Sequence, residues 1–287
     1  MDNFRQRFFF PDTDIRGEFL RLESALTPVL SARDYPLEIQ DVLAEALVAA
    51  ALMTGTLKFD GRLSLQAKGT GELTLMLAEA THDNKLRGLA QWQQPVAQGS
   101  LPSLGEMLGD NAMLVITLEP DVGQRYQSVV PLEQSRLQDC LADYFLQSEQ
   151  LPTQFWLACG GGRAAGLLLQ RMPAQQVDAD TNRARWNTLT ALANTLSPEE
   201  LLSLSTDTLL HRLFHETPPR VTEAVPLQFG CSCTRTRVEN MLLSLGEATL
   251  QEMLDEQGEA DISCDFCRQN QHFSEVDLQG LLRRVGH

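Results

Sequence analysis

The chain has 287 residues, 43% of them hydrophobic, and its 23 basic and 38 acidic side chains leave a net charge of −15. With a mean hydropathy of −0.18, this is globular rather than disordered composition, long enough for about two domains. So acidic a balance argues against nucleic acid as the main ligand, because neutralised phosphates supply most non-specific affinity.

The N-terminus, MDNFRQRFFFPDTDIRGEF, holds a three-phenylalanine run ended by Pro11 and acids, which reads as neither a signal peptide nor an anchor. The longest apolar stretch elsewhere, roughly Ala44 to Met53, contains Glu45 and is too short to span a bilayer, so no membrane partner is expected. The expected compartment is the cytoplasm, where thiols stay reduced. Six cysteines there need a role other than structural disulfides.

Residues 36–54 read as a helix, with Ile39, Leu43, Ala46, Leu47 and Ala50 on one face. From Lys58 to Leu77 the period changes to two: Leu63, Leu65 and Ala67, a Gly69-Thr70-Gly71 turn, then Leu73, Leu75 and Leu77, a half-buried hairpin. Met113–Leu118 and Phe155–Ala158 are further strands, and Ser135–Ser148 is a helix with Leu137, Leu141, Tyr144 and Phe145 inward. Strands without regular βαβ alternation predict an α+β domain over residues 1–177.

Residues 178–230 change character. Trp186, Leu189, Leu192 and Leu196 recur at helical spacing. Ser197-Pro198-Glu199-Glu200 is a helix start with a capping serine, a first-turn proline and a reciprocal glutamate. Leu201, Leu202, Leu209, Leu210, Leu213 and Phe214 follow, until Pro218-Pro219 ends the run. This predicts a helical linker whose apolar faces must pack on something.

Residues 231–287 form a third, small segment with 5 basic and 10 acidic side chains. It holds Cys231-Ser232-Cys233 and Cys264-Asp265-Phe266-Cys267. Two close thiol pairs on separate loops can close a tetrahedron around one Zn²⁺, leaving no open position for water. That is a structural or redox site, and no enzyme activity is expected of it. The second pair has ordinary zinc-knuckle spacing; the C-x-C pair is much rarer. Arg268 stands where such knuckles often carry glycine, and a positive φ there would cost about 1 kcal/mol or more. Val238, Met241, Leu242 and Leu245 suggest one helix, Leu250, Met253 and Leu254 another, and Ser274-Glu275-Val276-Asp277 a third start. So small a unit should lean on its metal.

The remaining candidates read as ordinary structure. Cys140 and Cys159 are expected to be buried core thiols. His211 and His215 are spaced i, i+4 without an HExxH motif, and are expected to be helix-surface residues. The glycines of CGGGRAAGLLLQ (159–170) lack the following Lys-Ser/Thr of a phosphate loop.

With these residues in view, the chain resembles the 33 kDa heat-shock protein family, the redox-regulated holdase chaperones of bacteria. The likeness runs through TLKFDG (56–61), RYQSVV (125–130), DYFLQSEQLPT (143–153), AAGLLLQRMPAQ (164–175), HRLFHE (211–216) and CSC…CDFC. The resemblance implies an ATP-independent chaperone whose reduced form is inactive and holds one Zn²⁺ per chain through Cys231, Cys233, Cys264 and Cys267. It further implies that oxidation forms the disulfides Cys231–Cys233 and Cys264–Cys267, expels zinc, unfolds the C-terminal unit and destabilises the linker. The partners implied are unfolding client proteins and, when oxidised, a second copy of the chain. Two other classes stay open at this stage: a zinc-ribbon nucleic-acid binder, against which the acidic C-terminal segment speaks, and a CxxC thiol–disulfide oxidoreductase, which would need a thioredoxin-like βαβ setting.

Overall fold

In the computed structural model, which describes residues 2–57, 59–93 and 103–285, the chain begins with a hairpin that the apolar periodicity did not reveal. Its strands are β1 (Phe4–Phe9) and β2 (Ile15–Leu22). Lys58, where the next hairpin is expected to begin, and Gly286 and His287, at the end of the third expected segment, lie outside the described residues. The order continues with α1 (Thr27–Leu30), α2 (Leu37–Thr56), β3 (Gly61–Lys68), β4 (Leu73–Thr81), β5 (Lys85–Trp92) and α3 (Leu104–Leu108). Then come β6 (Met113–Pro120), β7 (Tyr126–Pro131), α4 (Leu137–Gln147), β8 (Thr153–Gly160) and β9 (Arg163–Arg171). Three helices, α5 (Ala179–Ala193), α6 (Pro198–Ser203) and α7 (Thr206–Phe214), precede the short strands β10 (Arg220–Val221), β11 (Val225–Pro226) and β12 (Gln228–Phe229). The chain forms two compact units, Met1–Phe229 and Gly230–His287.

The first unit has the α+β character expected, with antiparallel pairing between all its long strands. One sheet runs β10-β1-β2-β9-β8, with β11 also on β1; the other runs β12-β5-β4-β3-β6-β7. Between them lies α2, buried from Val42 to Thr56 except at Glu45. A helix apolar on all sides belongs in a core. Two glycines set its approach to the sheets. A Cβ on Gly166 of β9 would come within 2.5 Å of Val48, and one on Gly88 of β5 within 3.1 Å of Leu43. Arginines gather at the C-terminal end of α2. Arg5 donates to the Ala51 carbonyl at 3.0 Å, Arg16 to that of Thr56 at 2.9 Å, and Arg7 to that of Gly55. Positive charge at a helix C-terminus is favourable.

The CGGGR run is the two-residue turn of the β8–β9 hairpin: Gly160 pairs with Arg163, and Gly161 and Gly162 have φ of 61° and 75°. Two successive positive φ values fit the right-handed twist of a hairpin, which is why glycine is used twice. No phosphate cradle is involved.

The helical segment after β9 finds its surface on the outer face of the first sheet. Trp186, Leu189, Leu201, Leu209, Leu210, Leu213 and Phe214 bury themselves with Phe8, Phe10, Phe19, Trp156, Leu167 and Leu169. The inner-face residues of the same strands, among them Leu20, Leu22, Phe155 and Leu168, join the α2 core. Phe214 meets Phe10 edge-on with centroids 5.0 Å apart. The predicted cap is present: the Ser197 hydroxyl accepts from the Glu200 amide, and the Glu200 carboxylate accepts from the Ser197 amide. Asp14 fastens the entry to the segment, accepting from the amides of Gln175 (2.8 Å) and Gln176 (3.0 Å).

The second unit contains α8 (Arg235–Ser244), α9 (Glu247–Glu256), β13 (Ala260–Ser263), β14 (Asn270–Phe273) and α10 (Glu275–Val285). Its three helices lie where the spacing predicted them, while the β13–β14 hairpin had no periodic signal. The core is thin: Leu242, Leu250, Ala260, Phe273, Leu278 and Leu281. Met241 and Leu245, part of the first helical pattern, are largely exposed.

A candidate metal centre of four cysteines

Each thiol pair sits on a locally braced turn. Cys231 and Cys233 lie on the loop entering α8. Thr234 caps that helix, its hydroxyl accepting from the Arg237 amide, while the Thr234 amide donates to the Ser232 carbonyl at 2.9 Å. Arg237 also donates to the Ser232 hydroxyl at 2.7 Å, which holds the residue between the two cysteines. Cys264 and Cys267 occupy the turn of the β13–β14 hairpin. There the Arg268 amide donates to the Cys264 carbonyl at 2.8 Å and the Cys264 amide to the Gln269 carbonyl at 3.0 Å. Arg268 has a φ of 58°, the left-handed conformation in which a side chain is strained.

The two turns bring all four sulfurs within 4.8 Å of one another. Cys231 and Cys264 Sγ are 3.5 Å apart, and Cys233 and Cys267 Sγ are 3.3 Å apart. A tetrahedron with metal–sulfur bonds of about 2.3 Å has edges of about 3.8 Å, so the donor set fits one tetrahedral thiophilic ion. All four are free thiols and half-buried. Burial alone would raise the Cys264 thiol, but the amides of Cys267 and Phe266 and the neighbouring thiols outweigh it and bring it down to about 7. Cys233 and Cys267 go up instead, through burial and the neighbouring sulfurs that oppose further negative charge. The amides of the turn favour negative charge on Cys264, and four thiolates gathered so closely repel one another unless a cation lies among them.

Arg235 was missed by sequence reasoning. Its guanidinium lies 4.4 Å from the Phe273 ring centroid, pairs with Asp277 at 3.0 Å and donates to the His272 carbonyl at 2.8 Å. One side chain thereby joins the helix after the first cysteine pair to the strand after the second and to α10. Apart from Glu239, four residues on, its partners lie some forty positions away, so no local pattern announces the link.

The other candidates do not join the cluster. Cys140 is buried, with its thiol raised by burial. Cys159, expected in the core, is half-buried and packs against it; burial and then the Asp41 and Glu45 carboxylates push its thiol up, which favours the protonated form. His211 and His215 are both exposed, their rings stacked with centroids 6.3 Å apart. The CxxC pair lies on a hairpin turn, whereas a thioredoxin-like site places it at a helix N-terminus. No helix among the described residues is long and apolar enough to cross a membrane.

Comparison with known proteins supports a single family. A family model described as Hsp33 protein matches residues 3–274. A 33 kDa chaperonin of Pseudomonas aeruginosa is 45% identical over 283 residues, covering 98% of this chain and 95% of that one. One from Azotobacter vinelandii is 44% identical over 287 residues, covering 99% and 96%. The crystal structure of a 33 kDa chaperonin from Thermotoga maritima shares the fold with a TM-score of 0.81, at 23% identity and 99% coverage of both chains.

Proposed function

The chain belongs to the Hsp33 family, and from that premise we propose that it is a redox-regulated, ATP-independent holdase chaperone that keeps unfolding proteins from aggregating. The observation that carries the redox reading is the gathering of four sulfurs within 4.8 Å in a separate unit with a thin core. We propose Cys231, Cys233, Cys264 and Cys267 as the ligands of one Zn²⁺ in the reduced protein. Bound there, the ion would supply about 10–16 kcal/mol of folding free energy to the unit.

The switch follows from the cysteines. A peroxide takes two electrons from each sulfur pair and, with two protons, is reduced to water as one S–S bond forms. We assign the bonds to Cys231–Cys233 and Cys264–Cys267. Disulfide sulfurs are poor metal ligands, so the unit is left with a thin core, six buried apolar residues among those described, and unfolds. The working division is then a chaperone domain over 1–177, a metastable linker over 178–230 and a redox switch over 231–287. On this reading the linker destabilises with the switch, and the surface it leaves takes clients and, in the oxidised form, a second copy of the chain. The site of action is the cytoplasm. Neither nucleic acid nor a membrane has a part in it.

The test measures zinc content and light scattering of a heat-unfolded client in the same samples, before and after peroxide. The expected outcome is one zinc per reduced chain, its loss on oxidation, and suppression of aggregation only afterwards. Activity with zinc fully retained, or zinc lost with no activity, would overturn the reading.

A further inference from the structure

The stretch from Arg220 to Phe229 is held mainly by its backbone, with Leu227 buried in the α2 core, Phe229 packed against that core and Ala224 against the α5–α7 cluster. Arg220 and Val221 pair antiparallel with Phe9 and Phe8 of β1, and Val225 and Pro226 with Arg5 and Phe4. Gln228 and Phe229 then pair in parallel with Lys85 and Leu86 of β5. Thr222 donates to the Arg7 carbonyl from its amide at 2.9 Å and from its hydroxyl at 3.0 Å. The amides of Leu227 and Gln228 donate to the carbonyls of Asn3 (3.2 Å) and Asn84 (3.1 Å). Of these ten residues only Leu227 is buried.

This stretch is therefore a strap laid along one edge of each sheet. A bare sheet edge is a template for any extended chain. The first sheet's other edge is guarded, since the Gln138 side chain accepts from the Leu157 amide of β8 at 3.0 Å. The strap is also lightly held, with one buried leucine, two partly buried apolar side chains and hydrogen bonds at the surface, the marks of a segment that opens locally. Phe229, its last residue, stands two positions before Cys231.

We propose that the edges of β1 and β5 under this strap are a docking site for an extended segment of an unfolded polypeptide, which adds as a strand once the strap is released. The strap itself shows what the site takes: extended backbone, Val225, Leu227 and Phe229 at alternate positions, and no cation after Arg220. Folded proteins offer few such segments, so strand addition selects for unfolded ones. The inference rests on the oxidation-driven chaperone reading and names where on the molecule the client sits.

Hydrogen exchange on the full chain tests it, with a reduced and alkylated, permanently unfolded protein as the probe. Peroxide should deprotect residues 220–229, 3–9 and 84–86. The probe should then slow exchange at 3–9 and 84–86 by about tenfold or more, while 220–229 stay exposed. A second arm uses Leu227→Ser in the reduced, zinc-loaded chain, which should release the strap, retain zinc and bind the probe at the same edges. A probe complex that leaves 3–9 and 84–86 unprotected overturns the docking site and leaves the chaperone reading standing. An oxidised chain that binds no probe overturns the chaperone reading. The Leu227→Ser arm still decides the docking site: a released strap that captures nothing refutes it.

Discussion

At the scale of single residues, two positions carry a cost that substitution should relieve. Arg268 holds a φ of 58° in the knuckle turn, where glycine meets no Cβ penalty. Arg268→Gly should stabilise the metal-loaded unit by about 0.5–1 kcal/mol, read as a higher chelator concentration for half-loss of its structure. Glu45 is the one residue between Val42 and Thr56 of α2 that is not fully buried. Burial pushes its carboxyl up, against the opposing pull of Arg136, and Asp41 and Asp139 add to the rise, reaching about 7. A carboxyl whose folded pKa is raised favours folding while protonated. Its contribution is whole below the unfolded value of 4.5 and is lost as pH rises towards about 7. Glu45→Gln should therefore raise the melting temperature at pH 8, by the equivalent of about 1–3 kcal/mol, and change little at pH 4. Equal effects at both pH values would show that the carboxylate is not the source of the cost.

At the scale of elements, the helices α5–α7 decide what the outer face of the first sheet can do. They cover Phe8, Phe10, Phe19, Trp156, Leu167 and Leu169, a surface too apolar to leave in water without consequence. If their docking silences the chaperone, weakening it should activate the reduced protein. Ser197→Ala removes a capping box and costs about 0.5–2 kcal/mol. Leu213→Ala, at a buried position, costs about 2–5 kcal/mol. The double variant, zinc-loaded, should suppress client aggregation, followed by light scattering with zinc measured in the same tube. If circular dichroism shows these helices melted while zinc is bound and the variant stays inactive, the gate lies in the cysteine unit instead. The helix starts themselves were legible, because a capping serine, proline and glutamate act within four residues of one another. The strand β9 was not: Leu167 and Leu169 pack outward and Leu168 inward, so no alternation remains to be read. The strand β1 hid for another reason. Phe4 and Phe8 face outward, into the α5–α7 cluster, while Arg5 and Arg7 on the other face reach carbonyls of α2 far along the chain, so the face turned to the core reads as charged.

At the scale of the whole molecule, the two units differ in what holds them. The first has α2 clasped between two sheets. The second has a small core and four sulfurs. A zinc chelator under reducing conditions should therefore unfold residues 230–287 while the amides of β2, β3, β4 and α2 stay protected. Simultaneous loss of protection in both units would mean that their stabilities are not separable.

What the sequence determined by itself is what depends on near neighbours. The C-x-C and C-x-x-C spacings, the Ser197 cap, the long α2 and the strain at Arg268 are each set within a few residues, and thiol chemistry is the same wherever the chain carries it. The family likeness rode on those same short runs. Only the tertiary structure decided which sheet face α5–α7 cover, that Arg235 joins α8 to Phe273 and Asp277, and that residues 220–229 lie along β1 and β5. Those contacts join positions up to more than two hundred residues apart, and their free energy exists only once both partners are in place. Strands two residues long, as β10, β11 and β12 are, have no periodicity to betray them; their pairing is a property of the edges they meet.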